Sequence, residues 1–235
     1  MPNKASTKVT EPAPSGERTV DEIVDRILAA ILEHRLMPGT KLGEDRLATI
    51  FGTSRAKVRE VLARLAHEQV VELVPQRGAF VAKPTIEQAH DVFEARRLIE
   101  PGVLRRLVAT IDDVKLQRLR RQLDDEIDAR ARDDKPAIVR LSGEFHVLLA
   151  ELAGNSSLLR AMRELSMLTC LTISLYDAPT ATSCRADEHE EIVAAVKRGD
   201  TRQAEKLMLQ HLTHIEQSLK LDSSAEQADL ESIFA

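Results

Sequence analysis

The chain has few of the features that mark secreted, membrane-spanning or disulfide-rich proteins. Cys170 and Cys184 are its only cysteines, too few for a disulfide framework in 235 residues, so we expect both to be reduced thiols. Its longest apolar run is Ile27 to Leu32, far short of the roughly 20 residues that span a bilayer. The N-terminal residues also lack the apolar segment of a signal peptide. We therefore expect a cytoplasmic protein without a membrane partner.

Motifs that indicate catalysis are equally scarce. The sequence contains no Gly-rich phosphate loop, no hydrolase nucleophile elbow and no HExxH zinc motif. Cys170 has no partner in the sequence that would activate it as a nucleophile. Because a catalytic site needs a nucleophile together with its base and an orienting group, an enzyme is not the favoured interpretation.

Charge is distributed unevenly along the chain. The net charge is -5 overall, yet residues 41–83 carry eight Lys and Arg against five Asp and Glu. Residues 84–235 carry 20 Lys and Arg against 27 Asp and Glu. A basic segment suits a polyanionic partner, whereas the acidic remainder would repel a phosphate backbone. The two parts are therefore expected to have different functions.

Residues 38–81 have the pattern of a winged helix-turn-helix. A first helix is predicted to begin near Gly43 and to end at Gly52, with an apolar face formed by Leu47, Ala48, Ile50 and Phe51. Ser54 is a suitable N-cap for a second helix, whose apolar positions recur at helical spacing at Val58, Val61, Leu62 and Leu65. Two β-rich runs, 70–74 and 80–81, flank a turn at 75–78 and predict a small β-wing.

The first turns of the second helix are basic, which indicates DNA binding. The helix dipole adds positive potential there, and this is where helix-turn-helix proteins contact base edges and phosphates. The candidate DNA-binding residues are Ser54, Arg55, Lys57 and Arg59 in this helix, with Arg77 and Gly78 at the tip of the wing. The alternative is an amphipathic helix whose basic edge is merely solvated.

The rest of the chain is predicted to be helical. Six helices are expected at 85–110, 113–131, 135–153, 156–176, 185–198 and 201–221, and Pro101 should kink the first of them without ending it. The fold class is therefore mainly α, an N-terminal winged helix-turn-helix followed by an all-α six-helix bundle. The expected organisation is a disordered tail (1–17), a DNA-binding domain (18–82), a linker (83–85), a helical domain (86–222) and a C-terminal tail (223–235).

Three histidines of the helical region lie within apolar stripes. His146, His189 and His211 are each expected to face the bundle interior. Inward imidazoles on three helices can form a site for Zn²⁺ or a similar transition ion, because helical bundles build metal sites from facing helices. Each could equally be a hydrogen-bonded core histidine, since no metal-binding spacing motif supports the metal.

Arg96 is a second candidate within the bundle. It lies on the same stripe as Phe93 and Val103, and a buried guanidinium is costly unless an anion meets it. Glu100, one turn later, could be that anion in a purely structural pair. The functional alternative is a forked donor for the carboxylate of a small organic acid.

Residues 20–82 closely resemble the reading domain of the GntR family of bacterial transcription regulators. The matching residues are Pro38-Gly39, Leu47-Ala48, the run Ser54 to Leu65 (SRAKVREVLARL) and Arg77-Gly78. Asp45 departs from the pattern, because some members carry a DNA-contacting basic residue there. The resemblance implies a dimer that binds double-stranded operator DNA.

Residues 90–215 resemble the FCD effector domain of this family, in its six-helix VanR-like branch. The matching segments are 93–101 (FEARRLIEP), Phe145-His146, Gly154-Asn155, 188–192 (EHEEI) and 208–212 (MLQHL). The metal-binding branch joins three histidines with an Asp four residues before the first, and Ser142 stands at that position here. The resemblance implies a small carboxylate effector near Arg96, Ser142 and Asn155, and a divalent ion such as Zn²⁺ or Ni²⁺ on His146, His189 and His211. It also implies that the helical domain (86–222) serves effector binding and dimerisation. From its own position, Asn155 is better explained as the N-cap of the next helix.

The sequence thus predicts a homodimeric, ligand-responsive transcription regulator. The preferred interpretation is a repressor that a small organic acid releases from a palindromic operator. A metal-sensing regulator is the first alternative. A metal-dependent enzyme built on the three-histidine bundle is a second, although it lacks an identifiable general base.

Overall fold

The computed structural model describes residues 18–33, 35–176 and 187–221. The predicted tails at 1–17 and 223–235, and Cys184, lie outside these residues. Within them, the helices and strands are α1 (Val20–Leu32), β1 (Lys41–Leu42), α2 (Glu44–Phe51), α3 (Arg55–His67), β2 (Val71–Val74), β3 (Gly78–Val81), α4 (Ile86–Ala109), α5 (Asp113–Ala131), α6 (Lys135–Leu152), α7 (Ser156–Tyr176), α8 (Glu188–Lys197) and α9 (Thr201–Ser218). None of these helices is both long and apolar enough to traverse a lipid bilayer.

Helices α2 and α3 form the predicted helix-turn-helix. Gly52 ends α2 with a left-handed φ of 62°, a conformation that costs glycine little. Ser54 then caps α3, because its hydroxyl accepts a hydrogen bond of 3.2 Å from the backbone N–H of Lys57. The four predicted apolar residues of α3 are buried and share a core with α1, namely Val58, Val61, Leu62 and Leu65.

The prediction for the apolar face of α2 was wrong at one position. Leu47, Ala48 and Phe51 pack against the core, but Ile50 is 58% exposed. With 100° between successive residues, the three packed positions form one narrow stripe, and Ile50 projects roughly 100° away from its centre. A helix of eight residues contacts its neighbours along one edge only, so this side chain stays in solvent.

The wing is a three-stranded antiparallel sheet of order β1-β3-β2. Lys41 pairs with Phe80 at one edge, and Val71 pairs with Val81 at the other. The turn between β2 and β3 is closed by the backbone N–H of Arg77, which donates to the carbonyl of Val74 at 3.0 Å. Gly78 follows with a φ of 100°, which disfavours residues with a Cβ.

The six predicted helices of the second part are confirmed as α4 to α9, with ends within three residues of those expected. Helix α4 continues through Pro101, as predicted. It is the central helix of the bundle, because it packs against α6, α7, α8 and α9. The polar residues that the sequence singled out on α4, α6, α8 and α9 are therefore brought to one interior.

Helix α7 also joins the bundle to the N-terminal part. Leu171 is buried in the core of the helix-turn-helix, and Met167 and Leu168 pack beside it. The Gln69 side chain donates to the Glu164 carboxylate at 2.8 Å, and Tyr176 donates its hydroxyl proton to the carbonyl of Pro84 at 2.9 Å. The helix-turn-helix domain thus packs directly against helix α7 of the bundle.

We predict that Leu62→Ala lowers the free energy of unfolding by about 2 to 5 kcal/mol, because it leaves a cavity in the core of the helix-turn-helix. Leu62 is 2% exposed. Ile50→Ala is the matched control and should change stability by less than about 0.5 kcal/mol. Urea denaturation followed by circular dichroism measures both. Similar losses for the two variants would contradict the packing described for α2 and α3.

Candidate functional site

The three histidines converge on one point inside the bundle. His146 on α6, His189 on α8 and His211 on α9 are all at most 2% exposed. The Nε2 atom of His211 lies 3.2 Å from Nε2 of His146 and 3.2 Å from Nε2 of His189. Phe145 stacks on the His189 ring at 3.9 Å between centroids and helps to hold it in place.

Each of these rings presents its other nitrogen to a carboxylate. Nδ1 of His146 lies 2.6 Å from Glu100 on α4, and Nδ1 of His189 lies 2.8 Å from Glu126 on α5. Nδ1 of His211 lies 2.7 Å from Glu188, whose other oxygen meets His214. All three imidazoles are therefore oriented in the same way, with Nδ1 outward to an acid and Nε2 inward.

The electrostatics of the site favour neutral rings at His146 and His211 beside charged carboxylates at Glu100 and Glu188. Burial lowers the pKa of His211 to about 4 and lowers the pKa of His146 well below its ordinary value, although the neighbouring acids oppose this. Burial would raise the pKa of Glu100, but the charge of Arg96 and the hydrogen bonds from His146 and Arg96 lower it to about 2. Burial also opposes ionisation of Glu188, yet hydrogen bonds from His211 and His214 lower its pKa to about 2.

This arrangement fits a transition-metal ion. A carboxylate can only accept, so the proton of each neutral ring sits on Nδ1 and the Nε2 lone pairs face one another. Lone pairs at 3.2 Å repel unless a cation lies between them. Two imidazole ligands on a tetrahedral ion are about 3.3 Å apart when each Zn–N bond is about 2.0 to 2.1 Å. Carboxylates on Nδ1 are, in addition, the usual partners of metal-bound histidines.

Arg96 is buried next to this cluster, and one of its three guanidinium nitrogens has no partner among the described residues. It is 1% exposed, and its Nε donates to Glu100 at 2.6 Å, which is the internal pair foreseen from the sequence. Its Nη1 donates to the Thr169 hydroxyl on α7 at 3.0 Å. Its Nη2 has no hydrogen-bond partner in the described part of the chain. Because an unsatisfied charged donor is costly in the interior, this atom is where an anionic ligand would be bound most favourably.

Two other predicted effector residues have different environments. Ser142 is buried on α6, one turn before His146, where the resemblance placed it. Asn155 caps α7, because its Oδ1 accepts from the backbone N–H groups of Ser157 and Leu158 at 3.0 and 3.1 Å. The capping interpretation of Asn155 is thereby confirmed, and this acceptor is already used.

The basic end of α3 is exposed but not free of partners. Arg55 is 57% exposed and its Nε lies 3.0 Å from Asp45, while Arg59 is 62% exposed and its Nε lies 2.8 Å from Glu44. The Lys57 side chain is held against the protein, because its Nζ donates to the backbone carbonyl of Arg18 at 3.1 Å. Ion pairs at such exposed positions contribute at most about 1 kcal/mol, so a phosphate backbone can compete for both arginines.

The wing presents two cations around one aromatic ring. The Arg77 guanidinium lies 5.6 Å from the Phe80 ring centroid, and the Lys41 ammonium lies 5.9 Å from it. Lys41 was not singled out from the sequence, because its place opposite Phe80 follows from strand pairing. Arg77 and Lys41 thus form one basic edge.

Two acidic partners of the interior site were missed from the sequence. Glu126 and Glu188 come from two different helices and meet the site only once the bundle is packed. The sequence held one signal for Glu188, which immediately precedes His189. Cys170 is buried, and burial raises the pKa of its thiol to about 12, which agrees with the expectation of an inert cysteine.

A winged helix-turn-helix joined to a bundle with a buried polar site defines a DNA-binding transcription regulator that responds to a ligand. Comparison with known families supports this class directly. The gntR family of bacterial regulatory proteins matches residues 19–81, and the FCD domain matches residues 91–214. The chain therefore belongs to the GntR family of regulators and carries an FCD domain; it is not an enzyme.

Individual relatives agree with this assignment. The transcriptional repressor RspR of Escherichia coli (strain K12) is 28% identical over 203 residues, which cover 86% of this chain and 89% of the relative. Another protein of that strain, named for a proposed role as regulatory protein of the L-lactate dehydrogenase operon, is 27% identical over 231 residues, covering 86% and 87%. A solved Rhodococcus sp. RHA1 structure, described as a proposed GntR regulator, superposes with a TM-score of 0.75 at 25% identity, covering 84% and 95%.

We predict that Arg96→Met lowers the free energy of unfolding by about 3 to 5 kcal/mol, because Glu100 then stays buried without its guanidinium partner. The control is Arg105→Met on the same helix, which removes an exposed pair with Glu205 at 2.8 Å. Its expected cost is about 0 to 1 kcal/mol. Equal losses in urea denaturation would show that the buried pair does not stabilise the bundle.

Proposed function

We propose that the protein is a homodimeric repressor that leaves a palindromic operator when a small carboxylate binds in the bundle. The observation that carries this proposal is the buried Nη2 of Arg96, beside the three histidines, for which the described residues provide no hydrogen-bond partner. The relatives lend support, since one is a named repressor and another is assigned to an L-lactate dehydrogenase operon. The six helices α4 to α9 are consistent with the VanR-like branch of FCD regulators.

DNA binding would be carried by the first turns of α3 and by the wing. Ser54, Arg55 and Arg59 would meet base edges and phosphates in the major groove, and Lys57 would support this end of the helix. Arg77, with the adjacent Gly78, would reach the flanking backbone. In a two-fold dimer, the same contacts repeat in each half-site, which is why a palindrome is expected.

We expect Arg55→Ala and Arg59→Ala each to weaken operator binding by about 1 to 3 kcal/mol per half-site, because each removes a contact made twice by the dimer. The matched control is Arg64→Ala, in the last turn of the same helix. Gel-shift titration on a duplex selected in vitro from a random library measures the affinities. Unchanged binding by both first-turn variants would place the recognition surface elsewhere.

We further propose that His146, His189 and His211 hold a Zn²⁺ or Ni²⁺ ion through Nε2. Neutral imidazoles suit such ions better than hard ions like Mg²⁺. A bound ion would supply a fixed positive charge and an open position toward a carboxylate. Glu100, Glu126 and Glu188 orient the rings through Nδ1, and Ser142 stands where the metal-binding branch has an acidic ligand.

Protein purified without chelator or affinity tag is expected to contain up to one metal ion per chain. His189→Ala should abolish binding of added Zn²⁺, and Glu126→Gln should weaken it about 10- to 100-fold by loosening the His189 ring. His90→Ala, at an exposed histidine paired with Glu216, is the control. Competition against a zinc-binding dye measures the affinity. If His189→Ala bound Zn²⁺ as tightly as the wild type, the cluster would not be the site.

The effector carboxylate would bind Arg96 through its unpaired Nη2. The same guanidinium contacts Glu100 on α4 and Thr169 on α7, so a bound anion would affect the positions of both helices. Helix α4 begins directly after the segment that leaves β3, and Tyr176 at the end of α7 is bonded to Pro84 in that segment. A ligand that repositions these helices would therefore also shift the DNA-binding domain.

Arg96→Lys tests this role without leaving Glu100 unpaired. A lysine keeps the positive charge but lacks the second forked donor. We expect wild-type operator affinity, while release by L-lactate or citrate is reduced at least about tenfold, as for loss of one charge-assisted hydrogen bond in a buried site. Lactamide, which lacks the charge, is the ligand control. Full release of the variant by the same acids would remove Arg96 from the effector site.

A metal-sensing regulator remains the second candidate function. It is favoured by one observation, namely that three oriented Nε2 atoms form a site without any organic ligand. Operator titrations with and without Zn²⁺, in the absence of organic acids, distinguish the two candidates. A change in affinity with the metal alone supports the sensor, and dependence on a carboxylate supports the first proposal.

A further inference from the structure

A cavity outside the histidine site lies between the DNA-binding domain and the bundle. It has a volume of about 730 Å³, which is within the range of small-molecule pockets. Leu28 and Leu32 of α1 and Val70 form one wall, and Leu148, Leu159 and Met167 of α6 and α7 form the other. Arg96 and the three histidines are not among its lining residues.

Ser166, one of the residues that line this cavity, carries a hydroxyl without a hydrogen-bond partner among the described residues. Ser166 lines the cavity and is 3% exposed, and its Oγ has no hydrogen-bond partner within the described ranges. The Ser174 hydroxyl on the same helix also has no partner among the described residues, but Ser174 does not line the cavity. Thr169 and Thr172 both donate to carbonyls one turn earlier at 2.8 Å. A buried polar group without a partner is costly, so a Ser166 hydroxyl that turns toward the cavity to meet a ligand atom would be stabilised.

The rim of the cavity carries both carboxylates and arginines. Each of its four carboxylates already has a partner in the protein; they are Glu68, Glu144, Glu151 and Glu164. By contrast, Arg160 and Arg163 also line it, and neither has an ion pair among the residues that the structure covers. The guanidinium groups of Arg160 and Arg163 are therefore available to an anion at the edge of a chiefly apolar space.

We propose that this junction cavity binds a second ligand, a small amphipathic carboxylic acid. Its apolar body would fill the space between α1 and α7, with a polar atom at Ser166 and its carboxylate at Arg160 and Arg163. The site is separate from the proposed effector site at Arg96. Because its walls belong to both the reading domain and the bundle, occupancy would change how firmly the two are held together, and hence operator affinity.

The test uses the full-length protein and the fluorescent anion 8-anilinonaphthalene-1-sulfonate, whose emission rises in apolar sites. Decanoate and decanol are then compared as competitors, since they differ chiefly in charge. We expect saturable binding of the dye and stronger displacement by decanoate. The Arg160→Ala/Arg163→Ala variant should weaken displacement by decanoate about fivefold, as for loss of two exposed ion pairs. Displacement by decanol should be unchanged in that variant.

Two further variants complete the test. Val147→Trp, at a lining position, should fill the cavity and abolish binding of the dye and of both competitors. Arg202→Ala, at an exposed arginine of α9 outside the lining, is the matched control and should behave as the wild type. Since both arginines are exposed, the double variant remains informative if Val147→Trp fails to fold. Equal displacement by decanoate in the double variant and the wild type would overturn the proposal.

Discussion

The carboxylate of Glu100 organises the interior of the bundle. It is 2% exposed, and its two oxygens accept from Arg96 on the same helix and from His146 on α6. A buried carboxylate is tolerated only when its charge is compensated and its oxygens are bonded, so these contacts determine how α4 and α6 face each other. They also orient His146 and hold the Arg96 fork in place. Of the three guanidinium nitrogens of Arg96, Nε and Nη1 have partners, whereas Nη2 has none among the described residues.

The charges at the start of α3 differ from those around Glu100, because they are paired but exposed to solvent. Glu44 and Asp45 on α2 neutralise Arg59 and Arg55 in the unbound protein. Contact with DNA then exchanges one set of ion pairs for another, so the net gain comes from released counterions and base contacts. Asp45, the departure from the family pattern, thus restrains Arg55 in the unbound protein. The arrangement would reduce binding to nonspecific DNA, whose contacts are mostly to phosphate.

Features that depend on local chain properties could be predicted from the sequence, and features that depend on packing could not. The helix ends follow from caps such as Ser54 and Asn155, whose partners lie two or three residues away. The inward direction of the histidines follows from the period of their helices. Glu126, however, meets His189 across 63 residues, and no pattern within either helix indicates that contact. Ile50 was misplaced for the same reason, since its exposure depends on how little of α2 is covered.

Helix α7 is the element that connects the two proposed ligand sites with the DNA-binding domain. Thr169 faces the bundle interior, where it accepts from Arg96, while Ser166 lines the junction cavity. Leu171, half a turn beyond Thr169, is buried in the core of the helix-turn-helix. A ligand at either site therefore acts on a helix that the reading domain already contacts. Since coupling through a shared element is reciprocal, operator DNA must change the affinity of each ligand by the same factor by which that ligand changes the affinity for DNA.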